Sequence, residues 1–253
     1  MSSRKMLIAG NWKMNCLQKD GVELASAVAK AVNEIDNPKC EFLVCPPMTL
    51  ITSVVNAVEG SKVAVGSQDC HFNVKGAHTG DTSPAMIKDA GCEYAIVGHS
   101  ERRTDHKESN ELICKKSEAA YEAGLKAVIC IGETESERDA GKTVAVCKEQ
   151  ILGSVPANAT AENTVVAYEP VWAIGTGKTP TPADVQEVHA EIRKVIAEKL
   201  GTDIASKMRV LYGGSVKPGN ANEFLPLQDV DGALIGGAAL KVEDFMGIAK
   251  VCL

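Results

Sequence analysis

Short runs of branched aliphatic residues recur eight times along the chain, separated by longer amphipathic stretches. Near-continuous apolar runs are typical of parallel strands, because such strands are buried on both faces. Eight strand–helix units in 253 residues give about 32 residues per unit, which is the spacing that a (β/α)8 barrel of about 250 residues requires. The predicted strands are 6–9, 41–45, 62–65, 94–97, 126–131, 164–168, 208–211 and 232–235.

The alternative architecture is an open, doubly wound sheet, which usually carries a glycine-rich turn after its first strand. Here Gly10-Asn11-Trp12-Lys13 follows the first run, without a G-x-G-x-x-G pattern. No linker-like change of composition divides the chain, so we predict a single (β/α)8-barrel domain over residues 1–253. Apolar spacing and start signals predict helices at 17–33, 109–123, 135–152 and 182–200.

Composition argues against several classes of function. The chain has 27 Lys and Arg against 33 Asp and Glu, a net charge of −6, whereas a nucleic-acid binder should be basic. No run approaches the roughly 20 apolar residues of a membrane span, and the N-terminus lacks a signal-peptide pattern. The nine cysteines include no C-x-x-C pair, which favours reduced thiols over disulfides or zinc. We therefore expect a cytoplasmic protein with no nucleic-acid or membrane partner.

Polar and glycine residues follow five of the predicted strands. In a (β/α)8 barrel the carboxyl ends of all strands meet on one face, where active sites are built. Residues that are distant in sequence are therefore expected to converge there. They are Asn11 and Lys13, His99 and Glu101, Glu169, Gly213-Gly214-Ser215, and Gly236-Gly237.

Glu169 ends the sixth strand, and two roles are consistent with this position. It is either the partner of an ion pair or a general base whose pKa is set by burial. The segment after it has an apolar middle with proline and glycine near its ends, which is typical of a lid that excludes water. The predicted lid residues are Pro170, Val171, Trp172, Ala173, Ile174, Gly175, Thr176, Gly177 and Lys178.

His99 follows the fourth strand and precedes a helical turn. A lone histidine is most often structural, but here backbone amides can bond to the ring and the helix dipole disfavours the protonated form. A neutral imidazole can donate a proton to a substrate oxygen. The remaining histidines show no metal-ligand spacing and are interpreted as loop or helix-surface residues, so no metal or cofactor is expected; they are His71, His78, His106 and His189.

The two glycine clusters that follow the seventh and eighth strands are either ordinary turns or a phosphate site. Such a site is built from bare backbone amides, which a side chain would keep from the anion. A base, an acid, a lysine and a phosphate pocket suit the transfer of a proton beside the carbonyl of a phosphorylated sugar.

Five segments of the sequence resemble the triosephosphate isomerase family: residues 9–15, 97–103, 167–178, 211–216 and 232–238. The resemblance covers essentially the whole chain in order and length. It implies a TIM barrel without a cofactor and an aldose–ketose isomerase that interconverts dihydroxyacetone phosphate and D-glyceraldehyde 3-phosphate through an enediolate.

The resemblance also implies roles for single residues. Glu169 would move a proton between two carbons, and neutral His99 would polarise the carbonyl and move protons between oxygens. Lys13 and Asn11 would stabilise negative charge, with Glu101 in support.

Further roles concern the phosphate and the lid. The backbone amides of Gly175, Ser215, Gly236 and Gly237 would hold the phosphate, Tyr212 and Ser215 would latch the closed lid, and Ile174 and Leu234 would enclose the base. Such enclosure is expected to raise the pKa of Glu169 by removing water.

The family resemblance implies a homodimer. The loop at 68–81 would insert beside the neighbouring site, with Thr79 next to the partner's Asn11 and the partner's Lys13. His78 replaces a usual aromatic residue and Asp81 a usual glutamate, so the strength of the dimer is left open.

Two other functions remain open from the residues alone. A Schiff-base aldolase would need a desolvated lysine at a strand end, typically on the sixth, where this chain has Glu169. A barrel that only binds phosphorylated ligands or a protein partner would be expected to lack Glu169 or His99. Trapping with borohydride and substrate would identify the aldolase.

Overall fold

In the computed structural model, the apolar runs form eight parallel strands that hydrogen-bond around a closed ring. β1 pairs with both β2 and β8, so the sheet closes on itself and the predicted barrel is confirmed. The structure describes residues 4–174 and 178–253. The strands are β1 (Met6–Asn11), β2 (Cys40–Cys45), β3 (Val63–Ser67), β4 (Tyr94–Val97), β5 (Lys126–Ile131), β6 (Thr164–Tyr168), β7 (Arg209–Tyr212) and β8 (Gly232–Ile235).

Side chains alternate along each strand between two buried layers. Leu7 and Ala9 belong to the cluster that fills the barrel, whereas Ile8 belongs to the layer between strands and helices. All three are fully buried. Burial on both faces explains why the strands read as continuous apolar runs.

The helices surround the barrel. They are α1 (Gln18–Asn33), α2 (Ile51–Ala57), α3 (Pro84–Asp89), α4 (Ser100–Asp105), α5 (Asn110–Glu122), α6 (Glu135–Asp139), α7 (Thr143–Ser154), α8 (Pro182–Leu200), α9 (Thr202–Lys207), α10 (Ala221–Phe224) and α11 (Val242–Ala249). Short 3-10 turns lie at Met48–Leu50, Val171–Ala173, Gly237–Leu240 and Lys250–Cys252.

The bounds of α8 agree with the prediction residue for residue. The Thr181 side chain accepts the N–H of Asp184, Pro182 occupies the first turn, and Gly201 follows the last turn. Gly201 has φ +94°, a conformation that favours glycine and stops the helix. Here the local signals are strong enough to set both ends.

The predicted helix at 135–152 is wrong, because the chain forms α6 and α7 there instead. Gly141 lies between them with φ +68°, which is incompatible with a continuous right-handed helix. α6 has no buried residue, so no apolar face joins it to α7.

Two findings bear on the expectations from composition. All nine cysteines are unpaired, and seven of them are buried, as expected for reduced thiols. Among the helices of the described ranges, none combines the length and the apolar character that crossing a membrane requires.

Candidate active site

A cavity of about 670 Å³ opens at the carboxyl ends of the strands, and we call it the main cavity. Its lining includes most of the residues singled out from the sequence, although they come from β1, β4, β6, β7 and β8 or from the loops that follow them. The predicted residues that line it are Asn11, Lys13, His99, Glu169, Ile174, Gly213, Gly214, Ser215, Leu234, Gly236 and Gly237.

Glu169 directly follows β6, and only 2% of its surface is exposed. Its Oε1 lies 2.8 Å from His99 Nε2. Its Oε2 accepts the backbone N–H of Ser100 at 3.1 Å. Both carboxylate oxygens therefore have a partner, as a buried carboxylate requires.

His99 is the N-cap of α4, and its ring is oriented by that helix. The N–H of Glu101 donates to Nδ1 at 3.3 Å, the backbone contact that the sequence predicted. Because Nδ1 is the acceptor, the proton of a neutral ring lies on Nε2, the atom that faces Glu169.

The contact between Glu169 and His99 shifts the pKa of both residues. Burial acts to lower the pKa of His99, but the Glu169 carboxylate outweighs burial and raises it. Burial likewise acts to raise the pKa of Glu169, but the imidazole and the Ser100 N–H outweigh burial and lower it. The expected raised pKa of Glu169 is therefore opposite to the direction in this structure, because the His99 and Ser100 contacts together outweigh burial. The expectation that the protonated form of His99 is disfavoured is likewise opposite, because the Glu169 carboxylate favours that form.

Lys13 has an unusual backbone, with φ +52° in the left-handed region. Its N–H donates to Asn11 Oδ1 at 3.0 Å, and its carbonyl accepts the Gln68 side-chain amide at 2.8 Å. The ammonium lies 2.6 Å from Glu101 Oε1. Strain of this kind persists where surrounding contacts hold it and is common at functional sites.

Glu101 does not line the main cavity within the described part of the chain. Instead it borders an adjacent groove of about 830 Å³, which we call the outer groove. Its position between Lys13 and the His99 ring supports both of these side chains.

Two different physical reasons explain why glycine occupies these positions of the main cavity. A Cβ at Gly214 would overlap the Tyr212 hydroxyl, and one at Gly213 would lie 2.9 Å from Glu169 Cγ. These two glycines make room for neighbouring side chains. A Cβ at Gly237 would meet nothing within 4 Å, so only there would an added side chain project into open space.

Four polar residues of the main cavity were not identified from the sequence. Lys241 and Asp244 follow the 3-10 turn Gly237–Leu240, and such a short turn gives no periodic signal. The other two are Asn15 and Lys217. Their only signal was their short distance along the chain from predicted site residues.

The start of the predicted lid is anchored by a buried carboxylate that sequence reasoning also missed. Glu133 is fully buried, and its Oε1 accepts Trp172 Nε1–H at 2.9 Å and the Tyr168 hydroxyl at 3.2 Å. Lys178, at the other end of the lid, pairs with Glu135. The predicted lid and phosphate residues Gly175, Thr176 and Gly177 lie outside the described residues.

Ile174 and Leu234 line the main cavity together with Glu169, where an apolar enclosure was expected. The buried Tyr212 hydroxyl has no hydrogen-bond partner among the residues at 4–174 and 178–253.

The interpretation of His71 and His78 as histidines without metal-ligand geometry needs correction. Their rings lie 4.1 Å apart, and with Asp81 they bring three ligand atoms within 4.8 Å of one another. The loop folds back on itself, which spacing along the chain did not indicate. However, His71 Nδ1 accepts the Asn73 N–H at 2.9 Å. In a neutral ring the proton is then on Nε2, so neither ring nitrogen of His71 has a free lone pair for a metal in this arrangement.

The interpretation of His189 as a helix-surface residue is wrong. It is fully buried on the face of α8 that carries Val185 and Ile192. Its Nδ1 lies 3.1 Å from the Asp229 carbonyl, and burial lowers its pKa to about 4. The spacing of 189 from 185 and 192 places it on the apolar stripe, so this signal was present in the sequence.

The fold and this site define a class: (β/α)8 barrels with a buried carboxylate–imidazole pair and a lysine in one cavity at the carboxyl ends of the strands. The model of the family "Triosephosphate isomerase" matches residues 6–252. The chain therefore belongs to the triosephosphate isomerase family.

Known proteins are similar to this chain in sequence and in structure over nearly their full length. Triosephosphate isomerases from Bradyrhizobium diazoefficiens and Afipia carboxidovorans are 52% and 54% identical over 246 residues, covering 97% of each chain. The crystal structure of triosephosphate isomerase from Bartonella henselae is similar with a TM-score of 0.90 and 45% identity, covering 98% of both chains.

Proposed function

We propose that the protein is an aldose–ketose isomerase that interconverts dihydroxyacetone phosphate and D-glyceraldehyde 3-phosphate. Membership of the family supports this activity. The observation that carries it is the Glu169–His99 contact of 2.8 Å in a cavity that Lys13 also lines. A base, an acid and a cation are the groups that proton transfer beside a carbonyl needs.

In the proposed reaction, Glu169 removes a proton from the carbon beside the carbonyl. The C–H electron pair becomes the double bond of an enediolate, and the carbonyl oxygen takes up the negative charge. His99 Nε2–H and the Lys13 ammonium face that charge and stabilise it. Returning the proton to the neighbouring carbon completes the isomerisation.

Substrate binding changes the environment of the base. The substrate oxygen replaces Glu169 Oε1 as the partner of His99 Nε2–H, and the carboxylate turns toward the carbon. The contact that lowers the pKa of Glu169 is then lost, while its burial remains and acts to raise the pKa. The base is therefore held weak at rest and becomes stronger when substrate is present.

The phosphate is proposed to bind in the main cavity at the backbone amides of Ser215, Gly236 and Gly237, with Gly175 as a further donor. Gly237 follows β8 at the start of a 3-10 turn with open space beside its Cα. Free amides at the start of a helical turn favour an anion.

The segment 170–178 is proposed to close over the bound substrate, with Tyr212 and Ser215 as its latch. Glu133 would hold the first turn of this lid through Trp172. Excluding water in this way protects the enediolate from losing its phosphate.

We also propose that the chain acts as one domain over residues 1–253 and forms a homodimer in the cytoplasm. The outer groove borders Asn11 and Lys13, and Met14 beside them is 95% exposed. This groove would receive Thr79 and its loop from a second copy. The unpaired thiols support a reducing compartment.

A coupled assay with D-glyceraldehyde 3-phosphate in the presence of EDTA tests the activity. We expect turnover by the wild type and a loss of about 10²–10⁴-fold in Glu169→Gln, the contribution of a general base. Glu162→Gln, at an exposed position just before β6, should keep full activity. No turnover by the folded wild type would refute the proposed function.

A further inference from the structure

Glu169 borders two cavities. Besides the main cavity, it lines a smaller one of about 220 Å³ between the ends of β4, β5 and β6, which we call the side cavity. Ser100, Arg103 and Thr104 of α4 line the side cavity but not the main cavity in the described part of the chain. The proposed reaction uses only the main cavity.

The two oxygens of the Glu169 carboxylate have partners that line different cavities. Oε1 contacts His99, which lines the main cavity. Oε2 accepts the N–H of Ser100 at 3.1 Å, and Ser100 lines the side cavity. The carboxylate is therefore bonded on one side to a residue of the main cavity and on the other to a residue of the side cavity.

The side cavity is suited to water. At about 30 Å³ per water molecule, a volume of about 220 Å³ holds roughly seven. Its polar lining offers both hydrogen-bond donors and hydrogen-bond acceptors, which ordered water requires. These residues are Ser100, Arg103, Thr104, Thr134, Glu137 and Gln150.

We propose that the side cavity is a route by which the proton held on Glu169 exchanges with solvent while substrate occupies the main cavity. This inference rests on the proposed function. During exchange, the carboxylic acid gives its proton to a water molecule of the side cavity and receives another from it, so charge and protonation are unchanged. A returning proton then comes from solvent instead of from the substrate.

Isotope transfer in D₂O tests this route. Dihydroxyacetone phosphate is converted in D₂O, the aldehyde product is oxidised at once by a coupling enzyme, and ¹H NMR measures how much product carries the substrate's own hydrogen. Thr104 is an exposed residue that lines the side cavity, so Thr104→Phe should fill its mouth. Thr104→Ser is the matched control, because it keeps the hydroxyl and leaves the cavity open.

We expect Thr104→Phe to raise the fraction of transferred hydrogen about twofold or more, because the water next to the base is displaced. Its kcat should stay close to that of the wild type, and Thr104→Ser should keep the wild-type fraction. An unchanged fraction in an active Thr104→Phe enzyme would overturn the proposal. So would complete transfer in the wild type, since no exchange would then occur.

Thr104→Met is a smaller filling variant to be used if Thr104→Phe does not fold, and it carries the same expectation. Different results would refute the two proposals. A wild type without turnover refutes the isomerase function. An active variant with a filled side cavity and an unchanged fraction of transferred hydrogen refutes only the exchange route.

Discussion

Lys13 shows how single residues keep a strained geometry at the site. A non-glycine residue in the left-handed region costs about 1–3 kcal/mol, and Lys13 is held there by hydrogen bonds to its own N–H and carbonyl. Its ammonium lies 2.6 Å from Glu101 Oε1, and the residue lines the main cavity. The sequence identified Lys13 as a site residue but not its backbone, because the residues that hold it are 2 and 55 positions away.

Shortening the base by one methylene tests the role of Glu169. In Glu169→Asp the carboxylate is withdrawn by about 1 Å, and such a misplacement costs about 10²-fold in rate. We expect the loss in kcat with little change in KM, since the position of the base matters mainly in the transition state. Steady-state kinetics on both substrates measure the two constants.

Glu162→Asp is the matched control, since Glu162 lies before the opposite end of the same strand. It should leave kcat unaltered. A Glu169→Asp enzyme with wild-type turnover would argue strongly that another group removes the proton.

Among the elements, α8 shows what the sequence predicts correctly and what it does not: the ends of the helix are predicted, but one of its buried residues is not. Its ends follow from Thr181, Pro182 and Gly201, but its buried face includes His189, for which the sequence analysis predicts a loop or helix-surface position. α4 and α9 have six residues each, too few for a hydrophobic period to be detected. Local signals therefore predict where a long helix ends better than which polar residue it buries.

The burial of His189 predicts a pH dependence of stability. Its pKa is about 4 in the folded protein, whereas a histidine exposed to water in the unfolded chain has a pKa of 6.5. Between these values only the unfolded state binds the proton, so stability falls as pH decreases through this window. At about 1.4 kcal/mol per pH unit, the loss approaches 3 kcal/mol near pH 4.

Urea unfolding at several pH values from 7 to about 4.5 measures this loss. His189→Gln should show a smaller decrease in the free energy of unfolding than the wild type over the same range. The exposed His106 provides the control, because His106→Gln should retain the wild-type pH dependence. Parallel curves for the wild type and His189→Gln would contradict this account.

For the whole molecule, closure of the barrel decides where the site forms. The sequence predicted the convergence of Asn11, Lys13, His99 and Glu169 because every parallel strand delivers its carboxyl end to one face. It did not predict that the two oxygens of Glu169 have partners in two cavities. Rotamers and side-chain contacts depend on packing between distant segments, which no local pattern encodes.

The proposed homodimer is testable through the exposed residue Met14. The wild type should have twice the chain mass of 26.7 kDa in light scattering. Met14→Asp should shift it toward the monomer, because a buried carboxylate without a partner disfavours the interface. Leu152→Asp, at a half-exposed apolar position on α7, should remain dimeric. A monomeric wild type at micromolar concentration would exclude the dimer.

The pairing of β1 with β8 has one more consequence. A circular sheet offers no unpaired strand border to which another polypeptide could add by main-chain hydrogen bonding. The proposed homodimer would then depend on side chains of loops and helices, and not on main-chain pairing of strands. By the same reasoning, edge-to-edge growth into a larger sheet would first require one of the eight strand pairs to separate.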